Sequence, residues 1–158
     1  MKIAALFVLL CSISFARLGE TSAQLTTRFG QPKTTSTENI VAQGKIISIG
    51  SRLGFQQDDW AIYCTVTEGR CSRITYTKPG EWSEQQIETV LSSNSQGAKW
   101  TEISKPNFTK ILREWRRADG GTARWGTSSF TLTQPAYENA KKKAEAKAKG
   151  DASKTPNI

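Results

Sequence analysis

The side chains best suited to chemistry are basic and aromatic groups interleaved late in the chain. Arg113, Trp115, Arg116 and Arg117 precede an Asp119-Gly120-Gly121 turn signal, and Arg124 and Trp125 follow it. Guanidinium groups grip anionic oxygens through paired N–H donors, and indoles stack on rings. Arg113, Trp115, Arg117, Arg124 and Trp125 are therefore the candidate binding residues. The competing reading makes both tryptophans core, with arginine stems covering their edges.

Other chemistry is restricted. The sequence contains no histidine. That removes the commonest general base, the Ser-His-Asp and Cys-His arrangements, and the commonest zinc ligand. Cys64 and Cys71 cannot complete a structural zinc site alone, and no P-loop or dinucleotide fingerprint occurs. Asp58, Asp59 and Asp119 remain as carboxylates, but all fall in predicted turns, where Asp bonds its own backbone. No catalytic residue, metal ligand or cofactor is assigned, and a non-enzymatic chain is expected. An enzyme or binder using carboxylates and arginine on an anionic glycan or lipid is the alternative. Its enzyme form requires a cleft joining Asp58 or Asp59 to the Arg113–Arg124 region.

The elements that must position these groups centre on residues 60–78. Trp60, Ile62, Cys64 and Val66 alternate with Ala61, Tyr63 and Thr65, the period of a half-buried strand, and Ile74 and Tyr76 continue it. A three-residue loop at 67–69, with Gly69 left-handed, pairs Val66 with Arg70, Cys64 with Ser72 and Ile62 with Ile74. In that register Cys64 points into the core and Cys71 to the other face, which opposes a disulfide. An oxidising compartment argues for one, so the pairing stays open.

The chain begins with a secretory leader. Lys2 precedes an apolar run, and Ser14-Phe15-Ala16 sets small residues for cleavage after Ala16. Cys11 could be a lipidation site only with a small residue before it, and Leu10 is not small. The formal net charge is +8. Thr21 and Gln24 have capping-box spacing, Leu25 and Phe29 share a helix face, and Gly30 and Pro32 end the helix. Residues 33–39 read as a polar loop and 40–49 as a β-leaning stretch interrupted by Gly44, as a bulge or as two short pieces. Strands at 45–57, 60–67 and 70–78 should form a three-stranded antiparallel meander. Ser83 and Gln86 make a second capping box before a helix at 84–93. Trp100 and Ile103 are expected anchors. A strand at 111–117 and one or two more, from Trp125 and Phe130-Thr131-Leu132, form a C-terminal β-hairpin. Pro135 suits a helix start, and residues 135–150 read as a solvated Ala/Lys helix before a disordered tail at 151–158. Asn107-Phe108-Thr109 fits a glycosylation acceptor.

The string GETSAQLTTRFGQP ahead of a meander resembles small envelope proteins of the SmpA/OmlA (BamE-like) type, through Gly19, Thr21, Phe29, Gly30 and Pro32. The resemblance covers about residues 18–78. It implies an α+β envelope domain that binds other proteins or assists assembly. The sequence thus predicts a single α+β domain at 17–134: an N-terminal helix, a three-stranded meander, a second helix and a C-terminal β-hairpin, with a charged tail helix. Its expected role is a secreted or periplasmic binding or scaffolding module. The expected partner is another envelope protein, with anionic lipid or glycan as the alternative through the basic surface, and nucleic acid is not expected.

Overall fold

The computed structural model describes residues 15–104, 112–126 and 128–152. The Cys11 and Asn107 readings, and the start of the strand expected from residue 111, lie outside them. Two helices arise where the capping boxes stand. α1 spans Ser22–Phe29, and the Thr21 side chain accepts from the Gln24 amide while the Gln24 side chain accepts from the Thr21 amide. α2 spans Glu84–Ser93, with Ser83 and Gln86 making the same reciprocal pair. Four residues past each cap stands a buried aliphatic, Leu25 or Ile87. Four further on stands a partly buried apolar residue, Phe29 or Leu91.

Eight strands follow these helices in two sets of four. The first set is β1 (Thr34–Ala42), β2 (Lys45–Gln57), β3 (Trp60–Thr67) and β4 (Arg70–Thr77). The second is β5 (Trp100–Glu102), β6 (Arg113–Arg117), β7 (Thr122–Trp125) and β8 (Ser129–Thr133). They join in one antiparallel sheet of order β1-β2-β3-β4-β8-β7-β6-β5. The expectation of a three-stranded meander beside a separate hairpin is therefore corrected. The chain is a helix-and-four-strands unit used twice, and the fourth strand of each unit meets its counterpart at the centre. Thr75 and Thr131 face each other across that seam, their hydroxyls 3.1 Å apart.

Local corrections explain the difference. Residues 34–39, expected in a loop, are the first part of β1, an edge strand of β-branched Thr with no apolar alternation. The interruption expected at Gly44 is present and is a turn between two strands. Gln43 and Gly44 both have positive φ, 50° and 70°, and turn β1 into β2 as a type I′ hairpin. The β3–β4 loop has two residues, Glu68 and Gly69, with Thr67 opposite Arg70. An extra residue near Ser72 then shifts the ladder, so Cys64 faces Ile74 and Ile62 faces Tyr76.

That bulge decides the cysteines. It returns Cys71 to the core face, and Cys64 and Cys71 are both fully buried free thiols in one cluster. The divergence expected from the unbulged register is corrected. The Cys71 thiol is pushed well up by hydrogen bonding with Cys64 and by burial. A buried thiol with a raised pKa carries little thiolate and reacts slowly. Neither cysteine is expected to take up iodoacetamide in the native protein, and both should in urea. Mass spectrometry of the quenched chain checks this, and native labelling would contradict it.

The core lies on one face of the sheet, beneath α1, α2 and residues 15–18. Trp82 packs edge-on against Trp60 and Phe130, at 4.8 and 5.6 Å between ring centres, and Phe130 meets Trp115 at 5.5 Å. The core therefore runs unbroken across the seam. Trp100 anchors as expected, donating from its indole to the Leu91 carbonyl at 2.8 Å, whereas Ile103 is 46% exposed.

α3 (Pro135–Ala152) lies on the opposite face. Tyr137 receives a hydrogen bond from Arg73 at 3.1 Å and donates to Glu38 at 2.8 Å, and both partners point away from the core. Ala144 and Ala148 are buried, and Lys143 pairs with Glu68. The expectation of a solvated helix is corrected on this face. Small residues at helical spacing let α3 lie close to β1–β4.

Candidate functional site

Alternation on β6 separates the expected binding residues. Arg113, Trp115 and Arg117 share the core face, while Glu114 and Arg116 point the other way. Trp115 is buried beside Phe130, and Trp125 is half-buried on the edge of the same core. Arg113 stacks over Trp115 with its guanidinium carbon 4.9 Å from the ring centre. It donates to both Glu102 oxygens at 2.9 and 3.0 Å and to Glu84 at 2.8 and 2.9 Å. Arg113 is thus committed inside the molecule, and these pairs raise its pKa.

Arg117 is more deeply held. Its side chain is 0% exposed. It donates to both Asp119 oxygens at 2.8 and 2.7 Å, to the Asn94 carbonyl and to Gln96 Oε1 at 3.0 Å, and it stacks over Trp100. Asn94 in turn accepts from the Leu18 amide at 2.8 Å and donates to the Ala16 and Val90 carbonyls. This node ties the end of α2 to the N-terminal segment and to the β6–β7 turn.

The node carries a pH signature. Hydrogen bonding from Arg117 holds the Asp119 carboxyl below its usual range, and Arg113 does the same for Glu102. A depressed carboxylate stabilises the fold above its unfolded pKa, and that stabilisation is lost as pH falls through the lower folded value. The melting temperature of the wild type is therefore expected to fall between about pH 5 and about pH 3. Asp119→Asn should flatten part of that fall. An equal slope in the variant would remove Asp119 from the account.

Arg124 is on the other face, 64% exposed, with its Nε 3.3 Å from Glu114. There it belongs to a different group of residues. Arg73, Leu112, Thr122, Arg124, Gly126, Ser129, Thr131 and Thr133 line a groove of about 430 Å³. The pairings place Arg73 beside Thr133, Thr133 beside Thr122, and Thr122 beside Arg116. A second row runs Thr75, Thr131, Arg124, Glu114. Among the described residues α3 packs mainly on β1–β4, and the outer-face side chains of β8, β7 and β6 are partly or fully exposed.

This surface offers hydroxyls and guanidinium groups on a rigid floor. Arg73 is held by the Tyr137 ring at 5.1 Å and by that residue's hydroxyl, and has no acidic partner among the described residues. Arg116 has no ion pair among them either. Sequence reasoning reached Arg124 and missed Arg73, Thr122, Thr131 and Thr133. The signal was there in the alternation: even-numbered residues of β6 and β7 are polar or charged opposite a tryptophan face.

Asp58 and Asp59 sit exposed in the β2–β3 turn. β3 is separated from β6 by β4, β8 and β7, about 19 Å at ordinary strand spacing. Among the described residues, no three metal-ligating side chains gather and no helix is long and apolar enough to cross a membrane.

No family model matches the sequence, and no curated protein matches it. Among solved structures, a cysteine-rich secretory protein from Staphylococcus aureus subsp. aureus Mu50 matches with a TM-score of 0.48 at 10% identity, over 76% of this chain and 45% of that one. The chain thus spans less than half the length of that protein.

Proposed function

We propose that this chain is a secreted or periplasmic binding module that holds an anionic partner of the bacterial envelope on the uncovered half of its sheet, without catalysing a reaction. The observation that carries this reading is the groove lined by Arg73, Arg124 and four hydroxyl residues, on a sheet whose other half α3 covers. A sheet buried on one face and open on the other can lend its open side chains to a ligand without altering the core. The leader-like residues 1–16 and the net charge of +8 support an extracytoplasmic site and an acidic partner.

The enzyme reading needs Asp58 or Asp59 beside the arginines. The intervening strands separate them, so binding is the better account. The test is co-sedimentation of the full chain with isolated bacterial envelopes. The wild type should sediment with them. Arg116→Glu with Arg124→Glu should reduce the bound fraction at least tenfold while leaving the circular dichroism spectrum and melting temperature close to wild type. Equal sedimentation of the variant would reject this face as the binding surface.

A further inference from the structure

We propose that the Arg73–Thr133–Thr122–Arg116 row binds an anionic glycan, one bearing carboxylate or sulfate groups, laid across the strands. This rests on the uncovered sheet face being the binding surface, and it names the ligand class. The row crosses four neighbouring strands, β4, β8, β7 and β6, through directly paired residues. At ordinary strand spacing its two arginines are about 14 Å apart. It therefore presents a cation at each end and two hydroxyls between them, on a line perpendicular to the strands.

Each part suits a sugar polymer. A guanidinium binds carboxylate or sulfate through two parallel N–H donors. Threonine hydroxyls both donate and accept, as the hydroxyls of a sugar chain require. Arg73 is pre-positioned by Tyr137, so its rotamer freedom is already spent before binding. In the adjacent row Arg124 adds a third guanidinium above Thr131, partly offset by Glu114.

The same surface is poorly built for other partners. A folded protein partner draws most of its affinity from aromatic or aliphatic anchors in pockets, and among the described residues Leu112 is the one apolar side chain lining the groove. A nucleic-acid strand needs aromatic platforms for its bases, and neither row carries one on β4, β8, β7 or β6. A lipid surface would be gripped by apolar side chains beside the cations, and the rows supply threonine instead.

The experiment is titration of the full chain with heparin, polygalacturonate, poly-glutamate and vesicles of phosphatidylglycerol with phosphatidylcholine, at one low ionic strength. Binding to heparin or polygalacturonate is expected. Arg73→Gln with Arg116→Gln should weaken it at least tenfold. Thr122→Val with Thr133→Val should weaken it about fivefold with no change of charge. Lys142→Gln with Lys147→Gln, which removes the same charge from α3, should change it less than twofold.

Because Arg73 also holds Tyr137, the pair Arg116→Gln with Thr122→Val serves as a variant that leaves the α3 contact intact. It should weaken binding as well. An equal loss in the α3 lysine variant would mean binding by net charge alone and would overturn the site. Poly-glutamate or vesicle binding without glycan binding would overturn the ligand class. If that binding were also lost in the row variants, the sheet face would stand as the binding surface. No binding to any probe, with envelope co-sedimentation still abolished in the Arg116/Arg124 variant, would reject the glycan and leave the broader reading in place.

Discussion

Arg117→Ala is expected to cost about 3–5 kcal/mol of folding stability, the range for truncating a large, fully buried side chain and orphaning a buried group it serves. The magnitude follows from what the guanidinium satisfies. It serves the Asn94 carbonyl, Gln96 and both oxygens of Asp119 while its own side chain is wholly buried. Truncation leaves the Asn94 carbonyl without its donor and opens a void beside Trp100. Urea denaturation followed by tryptophan fluorescence should show a large fall in midpoint with little change in slope. Arg117→Lys should recover only part of the loss, since one ammonium cannot reproduce the planar fork. A loss below about 1 kcal/mol for the alanine variant would mean that Arg117 is a surface pair in practice.

Starting the chain at Arg17 is expected to cost a comparable amount relative to starting it at Phe15. Phe15 is buried, and its ring stands edge-on to Trp60 and Tyr76, each at 5.8 Å. The Ala16 carbonyl accepts from the Tyr76 hydroxyl at 2.7 Å and from Asn94 at 3.2 Å. Burying a Phe side chain is worth about 1.5–3 kcal/mol, and orphaning a buried hydroxyl costs about 1–3 kcal/mol. The sum is about 2.5–6 kcal/mol, read as a fall in melting temperature between the two purified chains. The cleavage expected after Ala16 would remove both residues from the core. Ser12 and Ser14 are also small and correctly spaced, so a cut before Phe15 would keep them. N-terminal sequencing of the protein purified from its native cell tests both sites against an uncleaved chain. A start at Arg17 with an unchanged melting temperature would show that the 15–16 contacts add nothing.

Both helical caps were legible in the sequence because a capping box is a local device within four residues. β3 and β4 were legible because each buries one face and alternates. The first part of β1 was not, since an edge run of Thr, Ser and Glu at 34–38 has no apolar period to read, while its Ile40-Val41 end read as β-leaning. β5 is three residues long and carries too little pattern. The union of the two halves was invisible for another reason. Thr75 and Thr131 lie 56 positions apart, and nothing local announces their pairing. The repeated spacing from cap to buried aliphatic to a second apolar residue was the available hint of two similar units.

The candidate site was half legible. Interleaved arginine and tryptophan correctly marked a region rich in guanidinium groups. Composition could not tell solvated cations from committed ones. Alternation could: Arg113 and Arg117 share parity with Trp115 and so share its face, while Arg116 does not. The bulge at Ser72 had no such cue, and the cysteine geometry went wrong with it.

The central seam has a consequence for the order of assembly. A chain delivered N-terminus first presents α1 and β1–β4 before β8 exists. The first unit can form its three hairpin pairings early, since each joins neighbours in sequence. β4 then waits with its outer backbone edge unpaired and Ile74 and Tyr76 without the β8 residues Leu132 and Phe130 opposite them. That interval is a window in which a second nascent chain could add its own β4 to the exposed edge. Slow delivery should lengthen the window, and conditions that lengthen it should raise the yield of misassembled dimers joined through β4.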